Sequence, residues 1–433
     1  MIRRGAVIVL CAFLSGCAFY HPMPLPESPD YTTALPPSLS PGPLDMEDVA
    51  KAAVLRSPDL IASRRKADIA EAQSFAAGLL PDPQLTANVD HPSAAGFSNG
   101  YALGLSEDLQ ALLLQPAKQA TAKAAADQAK LSALWDEWQT IEKACTLYVQ
   151  KVTADAKVAG LDRSVNVLST QAERSSKALE THDITLDQAG ADQAAALDAA
   201  SQRDTAARDA LTADAGLKAL IDIHPTMSLQ LAGLGEPTTF TKEQLTAALQ
   251  TIRKTRPDLL ALQAGYKSQE EAVWQAILSQ FPTISLGITR AADTSNVHTT
   301  GLGLTINLPI FNGARGSIRV QSATRAELYA EYQARLDQTT ADAWRLWEEM
   351  QILQEHIGEL KSKLPGFRKM AEAGHAAYAN RDLSPATYVV MQTSLIARES
   401  ELLDLGAALW TDNIALHTLL GAPYVSDVKA GTK

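Results

Sequence analysis

Few residues of this chain have a type and spacing that could do chemistry. Its eight histidines are scattered. His91 and His298 both fall beside stretches of turn composition, where imidazoles could ligate a metal, but turns are polar for their own reasons. The carboxylate pairs Glu270-Glu271 and Glu348-Glu349 could share acid and base roles, yet they lie in helix-forming runs with no His nearby and read as solvated faces. Cys145, within the helical run Ile141 to Val149, reads as packed core. A Gly-rich phosphate loop, zinc-ligand spacing and a nucleophile elbow are all missing. No catalytic constellation, cofactor site or metal site emerges, and no enzymatic activity is expected.

One side chain does have a covalent role to play. Arg3 and Arg4 precede a short apolar run, Gly5 to Leu14, which closes on Leu14-Ser15-Gly16-Cys17. The run is too short to span a bilayer and reads as a secretory signal. Small residues before a Cys at this point resemble the bacterial lipobox, in which cleavage leaves the Cys as the lipid-carrying first residue. The other reading is an ordinary secretory signal with an incidental Cys. Ala18, rather than Asp, follows, which by the same resemblance favours sorting to the outer membrane. The net charge of -11 and the absence of a Lys/Arg stripe disfavour a nucleic-acid partner, and none is expected.

The elements that could position anything are duplicated. Ser57-Pro58-Asp59-Leu60 returns as Arg256-Pro257-Asp258-Leu259, Leu103-Gly104-Leu105 as Leu302-Gly303-Leu304, and His182-Asp183-Ile184-Thr185 as Arg381-Asp382-Leu383-Ser384, each after 199 residues. Every copy reads as helix, strand, turn, strand, very long helix, polar break and returning helix. The chain divides into a signal and lipobox over 1–17, a tether over 18–44, a first repeat over 45–222, a crossing segment over 223–241, a second repeat over 242–421 and a tail over 422–433. Prolines at 22, 24, 26, 29, 36, 37, 41 and 43 make the tether extended.

Strand patterning is strict. Leu85, Ala87 and Val89 alternate with Gln84, Thr86, Asn88 and Asp90, and Tyr101, Leu103 and Leu105 with Ala102, Gly104 and Ser106. In the second copy Ile284, Leu286 and Ile288 oppose Ser285, Gly287 and Thr289, and Leu302, Leu304, Ile306 and Leu308 oppose Gly301, Gly303, Thr305 and Asn307. A half-buried soluble sheet carries the same period of two. Here, however, each strand has about the nine or ten residues needed to cross a bilayer at a tilt, and no other strand-like segment exists to pack against. Four strands cannot close a barrel, and an open edge cannot persist in hydrocarbon. A membrane sheet of this kind must be shared between chains, as about eight strands in a dimer or twelve in a trimer.

Helix formers with apolar positions three and four apart predict two long helices, about Gln115 to Leu179 and about Gly316 to Ala379, each roughly 95 Å long. Leu364-Pro365-Gly366 is expected to kink or interrupt the second. Leading helices are expected over about Asp45 to Leu80 and Lys242 to Gln280, and returning helices over about Leu186 to Ile221 and Pro385 to Leu420. A leading and a returning helix end to end match one long helix, which suggests a cylinder wall.

At this level of detail the chain resembles the TolC-like outer membrane efflux proteins, in particular the lipidated factors of tripartite exporters. The resemblance is carried by Leu308-Pro309-Ile310-Phe311-Asn312-Gly313-Ala314-Arg315, where a strand enters a long helix, with Arg256-Pro257-Asp258-Leu259, Phe281-Pro282-Thr283, Tyr378 and Leu419-Leu420-Gly421 in order around it. It implies an α+β membrane protein: a homotrimer with a twelve-stranded β-barrel in the outer membrane of a Gram-negative bacterium, and a long α-helical tunnel in the periplasm. It further implies a passive exit duct that meets a periplasmic adaptor protein and an inner membrane transporter, with outer membrane lipid around the barrel and no cofactor beyond lipid on Cys17. The polar breaks would be turns at the periplasmic entrance, bearing Asp183 and Asp187 in the first copy and Arg381, Asp382, Thr387 and Tyr388 in the second. Family members commonly carry acidic residues just past the second turn, the neighbourhood where this chain has Thr387 and Tyr388; Arg381 is a candidate to pair with a carboxylate across the tip, the alternative being a solvated turn charge. A lipid-anchored periplasmic coiled-coil scaffold with a small soluble sheet is the alternative from a different class.

Overall fold

The computed structural model describes residues 20–32, 42–93 and 96–422. Cys17, the signal, part of the tether and the tail beyond Ala422 lie outside them. Helices α1 (Met46–Arg56) and α2 (Pro58–Gly78) lead to strands β1 (Gln84–Asp90) and β2 (Gly100–Asp108), then α3 (Leu109–Glu180) and α4 (Leu186–Leu220). The second copy repeats this order as α5 (Lys242–Thr255), α6 (Pro257–Leu278), β3 (Thr283–Ala292), β4 (His298–Asn307), α7 (Arg315–Ala379) and α8 (Pro385–Leu419). No helix among the described residues is long and apolar enough to cross a membrane.

The 72 residues of α3 and 65 of α7 correspond to rods of about 108 and 98 Å at 1.5 Å per residue. Beside α3 lie α2 and α6 towards the sheet and α4 towards the far end, so one continuous helix is flanked by shorter helices that meet partway down. α3 begins earlier than expected, at Leu109. β2 runs straight into it, and the carboxylate of Asp108 accepts from the amides of Gln110 and Ala111, capping the helix ahead of Pro116. The exit of β4 is different: Gly313 and Ala314 take left-handed backbone, φ 50° and 57°, before α7 starts at Arg315.

Each leading helix, expected whole, is broken at the landmark motif. Pro58 and Pro257 occupy the first turn of α2 and α6, and the residue before a proline is driven out of helical backbone, here to ψ 119° at Ser57 and 120° at Arg256. α7 continues through Pro365 without interruption, with Leu360 and Leu364 buried on the turn before it.

The tightest packing surrounds the crossing segment between the repeats. Val49, Ala52, Ala53, Cys145, Tyr148, Val149, Leu217 and Ile221 form one core, and Leu245, Met350, Leu409 and Leu416 lie in a second. Irregular backbone buried here needs partners, and side chains supply them. Tyr148 Oη donates to the carbonyl of Ala232 at 2.7 Å, Trp410 Nε1 to Gly235 at 2.9 Å, Asn413 Nδ2 to Thr238 at 2.8 Å and Trp347 Nε1 to Phe240 at 2.9 Å. The tether joins the same belt through Thr32 beside Ile223 and Leu44 beside Leu231. Cys145 is buried as expected, and burial pushes its thiol up to about 12, which makes it inert.

Arg256 pins the second helix break. Its guanidinium grips Asp258 with Nε to Oδ1 at 2.6 Å and Nη2 to Oδ2 at 3.0 Å, donates to Thr339 Oγ1 at 2.7 Å, and lies 4.8 Å from the ring centroid of Trp135. Three helices thus converge on one side chain that is 4% exposed. Removing one member of a buried pair leaves an uncompensated charge. Arg256→Ala should therefore lose about 3–5 kcal/mol, read as a lowered unfolding midpoint in detergent. Asp412 gives a pH test: burial, then the Glu349 carboxylate, push it up to about 6. Its raised value contributes stability that is complete below the ordinary carboxylate range and lost as pH rises through about 6. Asp412→Asn should accordingly stabilise the protein by about 1 kcal/mol at pH 7.5, after discounting for solvent screening, and make no difference below about pH 4.

Candidate functional site

All four strands form one antiparallel sheet in the order β1-β2-β3-β4, with β2 and β3 joining the two copies. The register aligns Leu85, Leu105, Ile288 and Leu302 in one row across the sheet, and Leu286 with Leu304 in the next. The opposite face aligns Thr86, Gly104, Thr289 and Gly301. A soluble sheet would press its apolar face onto a core. This one leaves it open: every residue of β1 and β4 is exposed, with Leu302 80% and Leu85 75% accessible. The outer edges of β1 and β4 have no partner strand among the described residues.

The small-residue face is built for close approach. A Cβ on Gly104 would lie 2.6 Å from Thr86 Oγ1, and one on Gly287 3.1 Å from the Leu105 carbonyl oxygen. Glycine at these positions lets the sheet bend sharply towards that face.

At the other end of the rods the two polar breaks share one backbone design. The amide of Asp183 donates to Ala178 and that of Asp382 to Ala377, both at 2.8 Å, while His182 and Arg381 adopt left-handed backbone with φ 64° and 65°. These are six-residue helix stops of the kind glycine usually makes. Asp183, Asp187, Arg381, Asp382 and Thr387 are all exposed at these turns. The hydroxyl of Thr185 helps hold the Asp187 carboxyl below the usual range. Thr387 is part of a helix cap, its amide donating to Ser384 Oγ at 3.2 Å. Arg381 makes no ion pair within the chain among the described residues. Tyr388 is buried at 3% exposure.

Just behind the turns the copies diverge, in contacts between hairpin arms that the sequence reading did not give; of the residues involved it named only Tyr378 and Tyr388. In the first hairpin Ser175 Oγ donates to the buried Asp192 carboxylate, and Gln171 Nε2 donates to the same oxygen at 2.9 Å. The equivalent pair 199 residues on is Gly374 and Met391, packed so closely that a Cβ on Gly374 would meet Met391 Sδ at 2.6 Å. The second hairpin is held instead by aromatics: Tyr388 stacks on Tyr378 at 4.7 Å between centroids, and its hydroxyl lies 3.1 Å from His375 Nδ1. Burial raises the Tyr388 hydroxyl pKa, so it stays protonated. The repeat offset was the signal that could have exposed these cross-hairpin positions.

At the turn end of the sheet, His298 Nδ1 is 3.5 Å from Tyr101 Oη, while His91 is exposed. No group of three potential metal ligands occurs among the described residues.

No family model and no curated protein matches the sequence. Solved structures do match. The CmeC outer membrane channel of Campylobacter jejuni superposes with a TM-score of 0.74 at 14% identity, over 95% of this chain and 96% of that one. The open state of the Neisseria gonorrhoeae MtrE outer membrane channel gives 0.73 at 17% identity, over 88% and 90%. VceC, an outer membrane protein of Vibrio cholerae, gives 0.70 at 17% identity, over 88% and 96%. The fold is that of the TolC-like outer membrane channels.

The two hairpin clasps should differ in strength. Tyr388→Ala removes a buried aromatic worth about 3 kcal/mol or more, so amide exchange at residues 377–384 should rise roughly a hundredfold while residues 178–185 stay unchanged. Tyr388→Phe keeps the stack and should cost about 1 kcal/mol.

Proposed function

We propose that this chain is the outer membrane channel of a tripartite export system, a passive duct from a periplasmic adaptor and an inner membrane transporter to the exterior. The observation that carries the reading is the uncovered sheet with one apolar face, one face of small and polar residues, and two unpaired edges. In water such a sheet aggregates; in lipid its edges must be satisfied. Three copies, with β1 of each pairing with β4 of the next, give about twelve strands in a closed barrel whose leucines and isoleucines meet lipid and whose threonines, serines and glycines line the lumen. A periplasmic scaffold is disfavoured because its sheet would need a covering layer.

The helices continue the barrel wall into the periplasm, and the turns at 181–185 and 380–385 form its far entrance, where the adaptor docks. Lipid on Cys17 would tether the belt of the rod to the inner leaflet. No reaction is catalysed; the transporter supplies the energy.

Purified protein in planar bilayers should conduct ions, and a conductance indistinguishable from bare lipid would rule the channel out. Arg381→Ala should change the single-channel conductance if Arg381 pairs with a carboxylate of a neighbouring subunit across the entrance, and leave it unaltered if Arg381 is only a solvated turn charge. Mass spectrometry of the mature amino terminus should find a diacylglyceryl-modified Cys17 as the first residue.

A further inference from the structure

Charges on the apolar face of the sheet are confined to its two ends. Glu107 lies towards the helices, across from Leu286, and Arg290 lies towards the turns. The register sets Arg290 in one row with Ala87, Leu103 and Thr300, one step below the row Val89, Tyr101, Ala292 and His298. β3 has β2 and β4 of its own chain on either side, so these neighbours are fixed whatever closes the outer edges. Arg290 is exposed and forms no ion pair among the described residues.

A guanidinium on a lipid-facing strand costs about 2–4 kcal/mol at mid-membrane and about 0–1 near the interface. Its stem also lets it reach outward. Directly above it Ala292 has only a methyl group, and the gap is closed by Tyr101 and His298 leaning across from the flanking strands. Tyr101 Oη is 3.5 Å from His298 Nδ1, the ring centroids are 6.4 Å apart, and Ala292 beneath them is 5% exposed. Guanidinium, phenol, imidazole and the Thr300 hydroxyl therefore gather on one patch one row short of the outer rim. The nearby carboxylates do not compete: Asp90 is on the opposite face, and Asp293 accepts from the amides of Ser295 and Val297 in its own turn.

We propose that Arg290, one row below the Tyr101 and His298 pair, binds the phosphate of a lipid headgroup in the outer leaflet. The proposal rests on the barrel reading, since it needs this face to meet lipid. A guanidinium paired with phosphate makes charge-assisted, often bidentate hydrogen bonds, and the two rings add donors at the height where the headgroup begins.

The test uses full-length protein in detergent, mixed separately with bisphosphorylated lipid A, the same lipid stripped of phosphate, and inorganic phosphate. Bound species are counted by native mass spectrometry. The unaltered protein should hold the bisphosphorylated lipid roughly tenfold more tightly than Arg290→Gln, Arg290→Lys should keep most of that affinity, and the stripped lipid should not distinguish the three. Equal binding by Arg290→Gln overturns the proposal. So does inorganic phosphate that binds as tightly as the lipid, which would make the patch a site for free anions. Conductance is recorded on the same preparations. Channels that conduct without lipid preference defeat only this proposal, whereas an unaltered protein that never conducts defeats the channel reading itself.

Discussion

The free backbone N–H and C=O groups along the outer edges of β1 and β4 are the constraint to which the rest of this molecule answers. In water they can hydrogen-bond to solvent; on the channel reading proposed above, the leucines and isoleucines beside them would take the same strands into lipid, where only pairing with strands of other copies would satisfy both demands. Within the chain, each strand pair delivers a helix to a fixed position at one end of the sheet. The direct β2 to α3 passage, capped by Asp108, shows how strand direction becomes rod direction without a hinge.

Rods of this length cannot be stabilised by a single central core, and the packing is distributed accordingly. The large buried side chains, among them Tyr148, Leu217, Ile221, Leu245, Met350, Ile414 and Leu416, concentrate at the belt where the crossing segment wraps the helices. Towards the far end burial falls mainly to small residues, Ala172, Ala189, Ala196 and Ala199, with Leu161, Leu168 and Val389 between them. Alanine against alanine lets helices approach closely but removes little apolar area from water. Among the described residues the belt is therefore the more heavily packed part of the rod, and Tyr388 is the large side chain buried near the turns.

Much of this was legible in the sequence, for reasons that can be assigned residue by residue. Alternation over Ile284 to Thr289 and Gly301 to Leu308 is a statement about faces, and faces survive into the structure. The returning helices could be bounded because Thr185 and Ser384 are capping residues and the breaks before them are polar. The leading helices were misread as unbroken because Pro58 and Pro257 fit the first turn of a helix as well as they end one. Pro365 does not interrupt α7, because a proline removes one backbone bond while Leu360 and Leu364 stay buried on the turn before it. Contacts between hairpin arms, Ser175 with Asp192 and Tyr378 with Tyr388, depend on which residues face each other across two rods, and periodicity along one rod does not contain that information.

The duplicated landmarks show what the repeat preserves and what it leaves free. Ser57 and Arg256 occupy one position, before one proline, in one backbone conformation. Ser57 caps its helix with a hydroxyl, accepting from the Leu60 amide at 3.4 Å, and its neighbour Asp59 stays exposed. Arg256 instead turns inward, takes Asp258 with it, and ties α6 to α3 and α7. The Ser175 and Asp192 pair of one hairpin has become Gly374 and Met391 in the other in the same way. Backbone breaks, turns and strand registers recur because they set the geometry of the rods and the sheet; side-chain chemistry at equivalent positions differs because the two halves of one chain meet different neighbours. The two halves of one chain thus repeat a backbone plan while their hairpins are closed by different side-chain chemistry, a buried carboxylate in the first and stacked tyrosines in the second.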